Sequence, residues 1–400
     1  MSGRVSNTSR YESAVTVLQR RQAEMSEAQM QMTSGKRVSK PSDDPTAAAR
    51  AERAFIAQQR IESAQRSVGV SRSAMALTES ALGRAGDLLQ NAREKLISAG
   101  NGTYSGAERA ALATDLVALR GQLLQLANQT DGAGGYIFGG QGTLAPPFVD
   151  SAGGVTFAGT SGQGQLSTSE QMPTSVDGES VWLSARSGNG VFVTGAAAAN
   201  TGSAFIDAGG VADPSVLTGQ NYQVVFNVAP PAVTTYAVSM NGVPTGQTGN
   251  YIPGGAITVD GMTFDIGGAP ANGDAFDITP STPDMDPFEA LDRAIAVLSD
   301  PNATRGAIAQ SVNSGVRDVD AVMSHFSANR SVAGAALSRL DAIESRNQDR
   351  DLWAKSVQSD AEDLDMVKAV SEFQNKQTSY QAALQSYAMV QSMSLFDYLK

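Results

Sequence analysis

Apolar residues recur every seven positions over long stretches at both ends of the chain, and the middle does not share that period. Ile61, Val68, Met75, Leu82, Leu89 and Leu96 fall seven apart without a break, and Ala64, Ser71, Thr78, Ala85 and Ala92 follow the first five by three. Large residues alternating with small ones along a heptad seam predict a long helix that approaches its neighbours closely. Asp44-Pro45 ahead of the seam supplies a capping carboxylate and a proline for the first helical position. Asn101-Gly102 ends it, and Leu112, Leu116, Leu119 and Leu123 mark a second helix over about residues 105–128. Asp286-Pro287 repeats the cap-and-proline start. Asp300-Pro301 is expected to open a further helix carrying Val312, Val316, Val319, Met323 and Phe326.

The termini use the same spacing with weaker residues. Tyr11, Leu18, Met25 and Met32 recur every seven, with Val15, Gln22 and Gln29 on the partner track. At the other end Phe373, Tyr380 and Tyr387 do the same, beside Val370, Gln377, Leu384 and Gln391. No charged residue occurs from Gln377 to Phe396, yet four glutamines and several serines in that run argue against a membrane span. Such a composition suits a helix surrounded by protein on several sides, where an isolated charge is costly. A monomer of this size has no obvious way to bury it, so the pattern points to assembly. The expected assembly surface is Tyr11, Val15, Leu18, Met25 and Met32 at one end, with Phe373, Tyr380, Leu384, Tyr387, Leu395 and Phe396 at the other.

Between residues 136 and 283 the seven-residue period gives way to short β-branched and aromatic runs: residues 222–228, 234–240, 256–259, 262–266 and 275–279. Asn241-Gly242 and Asp260-Gly261 sit between such runs, which is a strong hairpin signal. Of the 40 glycines, 28 lie between Gly132 and Gly273, so turns are dense here. The fold class that follows is α+β: a long helical coiled-coil or bundle built from both chain ends, with a Gly-rich all-β insert of two subdomains. The expected divisions are an N-terminal assembly helix (1–44), a helical core (45–135 and 284–358), an outer β insert (136–283) and a C-terminal assembly helix (359–400). The Ala/Gly-rich stretch 195–210 is the expected joint within the insert.

Composition narrows the chemistry. With no cysteine and one histidine, His325, the chain has no thiolate nucleophile, no Cys-ligated zinc or iron–sulfur cluster and no multi-histidine metal site. A formal charge of −11 argues against wholesale nucleic-acid binding. His325, inside a helical pattern beside Phe326, is expected to be structural. Asp260, Asp265, Asp274 and Asp277 could be imagined as a hydrolytic carboxylate pair, but strand and turn placement explains them equally well. Asp360, Glu362, Asp363 and Asp365 are expected on a solvated helix face. No enzyme activity, cofactor or metal is expected.

Heptad helices at both ends around a Gly-rich β insert is the plan of the bacterial flagellin family, which the chain resembles. The run Ser34-Gly35-Lys36-Arg37-Val38-Ser39-Lys40-Pro41-Ser42-Asp43-Asp44-Pro45 is similar to the family's signature at the end of the N-terminal helix. Gly135-Tyr136-Ile137-Phe138-Gly139-Gly140, the stretch 268–276 and the ending Ser394-Leu395-Phe396-Asp397-Tyr398-Leu399 resemble the members that join hook to filament. The resemblance implies a structural subunit, exported unfolded through the flagellar type III apparatus to the cell exterior. Implied partners are the first hook-associated protein, flagellin, copies of the chain in a ring, the cap protein transiently and an export chaperone on the C-terminal region. Flagellin itself is the alternative within the family, and an exported cell-wall enzyme is the alternative outside it.

Overall fold

A computed structural model of the 400-residue chain describes the backbone of residues 7–166, 170–229 and 233–398, with side chains from residue 11 to 389 of these. The helices are α1 (Asn7–Ser34), α2 (Pro45–Ala99), α3 (Gly106–Ala127), α4 (Gly178–Trp182), α5 (Pro287–Ser299), α6 (Arg305–Glu362) and α7 (Met366–Tyr398). Two compact units form: Met1–Arg66 with Ile343–Lys400, and Ser67–Ala342. Helices α2 and α6 each contribute to both.

In the second unit the α2 seam is fully closed. Met75, Leu82, Leu89 and Leu96 are buried, and so are their small companions Ser71, Thr78, Ala85 and Ala92. Leu116 and Leu123 of α3, Leu291 and Leu298 of α5, and Val319, Val322 and Phe326 of α6 complete the same core. Local sequence sets the helix ends. Ser105 and Glu108 form a reciprocal capping box at the start of α3. The Asp286 carboxylate accepts the N–H groups of Phe288 and Glu289 at 2.8 and 2.7 Å. Burial pushes that carboxyl's pKa up, against the pull of those two bonds. Helix α6 starts at Arg305 rather than after Asp300. Asp300 instead closes α5, its N–H bonded to the Val297 carbonyl, and its carboxylate turns the chain by accepting Asn302 N–H at 2.8 Å. Thr304 then caps α6 through Ala307 N–H at 3.1 Å.

The insert divides into two parts with different attachments. The first holds the hairpin β1 (Phe148–Ser151) with β2 (Gly154–Phe157), the short pair β3 (Gln165–Leu166) with β4 (Met172–Pro173), and α4. It is fused to the helices through Trp182, which lies fully buried among Phe138, Phe148, Phe288 and Phe326, the last at 4.8 Å between centroids. The Gly135–Gly140 run explains itself here. Ile137 and Phe138 are buried, while Gly140 has φ +67° and a Cβ there would fall 1.8 Å from the Thr160 carbonyl oxygen. Arg120 of α3 adds a polar tie, paired in bidentate fashion with Asp150 of β1 at 2.6 and 2.9 Å and with Asp292 of α5 at 2.6 Å.

The second part is a two-sheet module with its own core, including Phe192, Ile206, Tyr222, Phe226, Phe264 and Phe276. Its strands are β5 (Phe192–Ala196), β6 (Phe205–Ile206), β7 (Gly210–Val211), β8 (Tyr222–Ala229), β9 (Val233–Met240), β10 (Val243–Asn250), β11 (Ala256–Val259), β12 (Met262–Gly267) and β13 (Ala275–Pro280). One sheet runs β10-β9-β8-β13-β5 and the other β11-β12-β6, with β7 also beside β12. Both expected hairpins form: Met240 pairs with Val243 and Val259 with Met262, across two-residue turns in which every residue has positive φ. The module enters and leaves side by side, with Ser187 N–H bonded to the Thr282 carbonyl at 2.9 Å and Ala185 paired with Met285. The joint is therefore at residues 186–191 and 281–284, not at 195–210. That stretch holds the last two residues of β5, in one sheet of the module, and all of β6, in the other, so its small residues serve close packing, as where Gly202 lies against Gly306.

Candidate assembly surface

The first unit is built around two helix breaks set side by side. Gly35, at φ +69°, ends α1, and the chain then runs antiparallel to the break between α6 and α7, with Lys36 bridged to Asp363. Arg37 N–H donates to the Glu362 carbonyl at 2.6 Å and Leu364 N–H to the Gly35 carbonyl at 2.9 Å. Side chains fix the register: Lys36 Nζ lies 2.6 Å from Glu362, and Arg37 bonds both the Ala361 carbonyl and Asp44. Val38, Ala47, Ala51 and Ala361 form a small apolar core beneath. Asp43 accepts the N–H groups of Ser39 and Lys40, and Asp44 those of Thr46 and Ala47. The Ala47 N–H bond, then Thr46 and Arg37, hold the Asp44 carboxyl down at about 2. The Ser34–Pro45 run is thus a clasp between the two ends of the chain.

The acidic run 360–365 is correspondingly not one solvated helix face. Glu362 holds Lys36, Asp363 accepts from Ser359, and Asp365 caps α7 through Val367 and Lys368 N–H at 3.0 and 3.1 Å. Sequence reading missed this because it treated the segment as continuous helix. The signal was there in Asp365, a capping residue followed by an apolar start.

Helices α1 and α7 pack on each other. Tyr11 meets Tyr387 with ring centroids 5.7 Å apart, and the two hydroxyls are 2.7 Å apart. That hydroxyl bond is the main cause that raises the Tyr387 pKa. Val15, Leu18, Met25, Met32, Phe373, Tyr380 and Tyr387 are only half-buried by the pairing, and Tyr11 and Leu384 stay exposed at 49% and 41%. Leu395 and Phe396 lie outside the residues whose side chains are described. Two helices alone leave this seam half open.

Elsewhere the polar groups have structural work. His325 Nε2 lies 2.9 Å from the Ser180 carbonyl and links α6 to α4. Asp260 takes the Tyr222 hydroxyl, Asp277 the Gln223 amide, and buried Asp274 the N–H groups of Thr201, Gly202 and Ala271. Among the described residues no helix is long and apolar enough to cross a membrane.

Both chain ends match known families: residues 5–143 the bacterial flagellin N-terminal helical region, and residues 316–399 the bacterial flagellin C-terminal helical region. This is the plan of a flagellin-type subunit. The flagellar hook-associated protein 3 of Salmonella typhimurium is 28% identical over 399 residues, spanning 98% of each chain. A crystal structure of Xanthomonas campestris FlgL is 30% identical, covers 77% of this chain and 99% of its own, and superposes with a TM-score of 0.69. The flagellar junction protein FlgL from Legionella pneumophila, 28% identical, covers 78% of this chain and all of its own at a TM-score of 0.70. The chain belongs to the flagellar hook-associated protein 3 family, within the bacterial flagellins.

Proposed function

We propose that the chain is a structural, non-catalytic subunit of the bacterial flagellum that joins hook to filament. Copies form a ring between the first hook-associated protein and flagellin, beneath the cap protein during growth. The chain reaches the cell exterior through the type III apparatus, with a chaperone on its C-terminal region. The half-open α1–α7 seam is the observation that carries this reading. Its heptad residues need more protein than one chain supplies, while the clasp ties the end of α1 to the start of α7. Absence of cysteine suits passage through a narrow channel into an oxidising exterior. Labelling intact flagella with antibody against this chain tests the reading. One band at the hook–filament boundary is expected, whereas label along the whole filament would assign the chain to the filament itself.

A further inference from the structure

We propose that the outer edge of α6 at Leu352 and Trp353 docks on the outer edge of α2 at Phe55 and Ile56 of a second copy. The contact is side-to-side between unlike edges and rests on the reading that copies assemble in a ring. In the first unit α2 and α6 run antiparallel, as the pairs Gln58–Gln358 and Gln65–Asn347 show. Their facing residues are small and buried, among them Ala51, Ala54, Ala354 and Ala361. Ile56 lies two residues beyond Ala54, about 200° round the helix, and therefore points away from α6. Leu352 stands in the same relation to Ala354 and points away from α2. The layer thus has two outward edges on opposite sides.

Both edges are apolar and both are open. Trp353 and Leu352 are 68% and 67% exposed on one, and Phe55 and Ile56 are 45% and 42% exposed on the other. Single exposed apolar residues are ordinary, but adjacent pairs on both edges of one layer make patches suited to burial, and Trp is the side chain most enriched at interface centres. Charge on the two segments is of opposite sign. Residues 45–66 of α2 carry four arginines against two glutamates, whereas residues 343–361 of α6, short of the Glu362 that holds Lys36, carry four acidic groups against three basic. Arg60 follows Ile56 by four positions and Asp349 precedes Leu352 by three, so each lies on the same stripe as its apolar neighbour. Copies pointing the same way bring α2 of one against α6 of the next in antiparallel fashion, which sets Arg60 opposite Asp349. Two unlike patches on opposite sides give a heterologous contact, the kind that propagates around a ring rather than closing a pair.

The absence of cysteine makes the test clean. Flagella are isolated from cells expressing the full chain as Ile56→Cys, Leu352→Cys or the double variant, and treated with a short bismaleimide. The double variant is expected to give a ladder of linked chains in steps of about 41.5 kDa, and each single variant none. A double variant that is incorporated yet gives no ladder overturns the contact while the junction reading stands. Dimers from a single variant also overturn it, because they mean a two-fold arrangement. Absence of the wild-type chain from flagella overturns the junction reading and the contact with it.

Discussion

Helices α1 and α2 are written with the same seven-residue spacing, and the structure treats them oppositely. From Val68 to Leu96 the α2 seam is fully buried, whereas from Tyr11 to Met32 the α1 seam is at best half-covered. Two differences account for this. The α2 partner track is made of Ala, Ser and Thr, which let α3, α5 and α6 close in, while the α1 track carries Gln22 and Gln29. The α2 seam also shares its core with a β-rich plug built around Trp182, whereas among the described residues α1 packs mainly on α7. Spacing identifies a seam. What closes it depends on how much protein the same chain brings to it.

Removing the plug breaks the closed seam most severely. Excising residues 153–279 takes out Trp182 and strips the cover from Phe138, Phe288 and Phe326, so the helical core should fail to melt cooperatively. Excising 188–281, where the two strands of the joint are already bonded, should leave it folded, and calorimetry separates the two. A smaller break is Leu89→Ala, expected to cost about 2–5 kcal/mol because the side chain is fully buried in the main core. The matching Leu18→Ala on α1 should cost under about 1 kcal/mol in the monomer.

Two further predictions sharpen the comparison at single carboxylates. Asp286→Ala should cost about 1 kcal/mol of stability through the lost α5 cap. Asp286→Asn should match or exceed wild type at pH 7, because it keeps the acceptor and removes a charge that burial disfavours. A carboxyl with a raised folded pKa weakens the fold as pH climbs through its titration, and urea melts of the Asn variant should lack that slope. Asp44 in the clasp has the opposite sign. Its folded pKa is depressed to about 2, so its contribution is complete above the ordinary carboxylate value near 3.8 and is lost as pH falls through about 2. The amide resonances of Thr46 and Ala47 should titrate with that low midpoint; a midpoint near 4 would show that these bonds do not hold the carboxylate.

Much of the fold was legible wherever local chemistry decides the outcome. The α2 period, the Asp286-Pro287 cap and both two-residue hairpin turns follow from residues adjacent in sequence. The joint at residues 186–191 was not legible, because Ala- and Gly-rich composition marks close packing as readily as a linker. The same limit hid the break at 363–365, whose partner Gly35 is more than three hundred residues away. Of the candidate surface, the heptad residues of α1 and α7 could be read as a seam, but their pairing with each other could not. Phe55, Ile56, Leu352 and Trp353 escaped notice because an apolar residue at the wrong helical angle is visible as exposed only once the buried stripe is known.

Hydrogen exchange in free monomer and in isolated flagella tests most directly the claim that the terminal seam is completed by other chains. Amides between Tyr11 and Met32 and between Phe373 and Tyr387 should exchange quickly in the monomer and become protected in flagella, while those between Val68 and Leu96 stay slow in both. Terminal seams as slow as α2 in the free monomer would contradict it, since one chain would then suffice to close them.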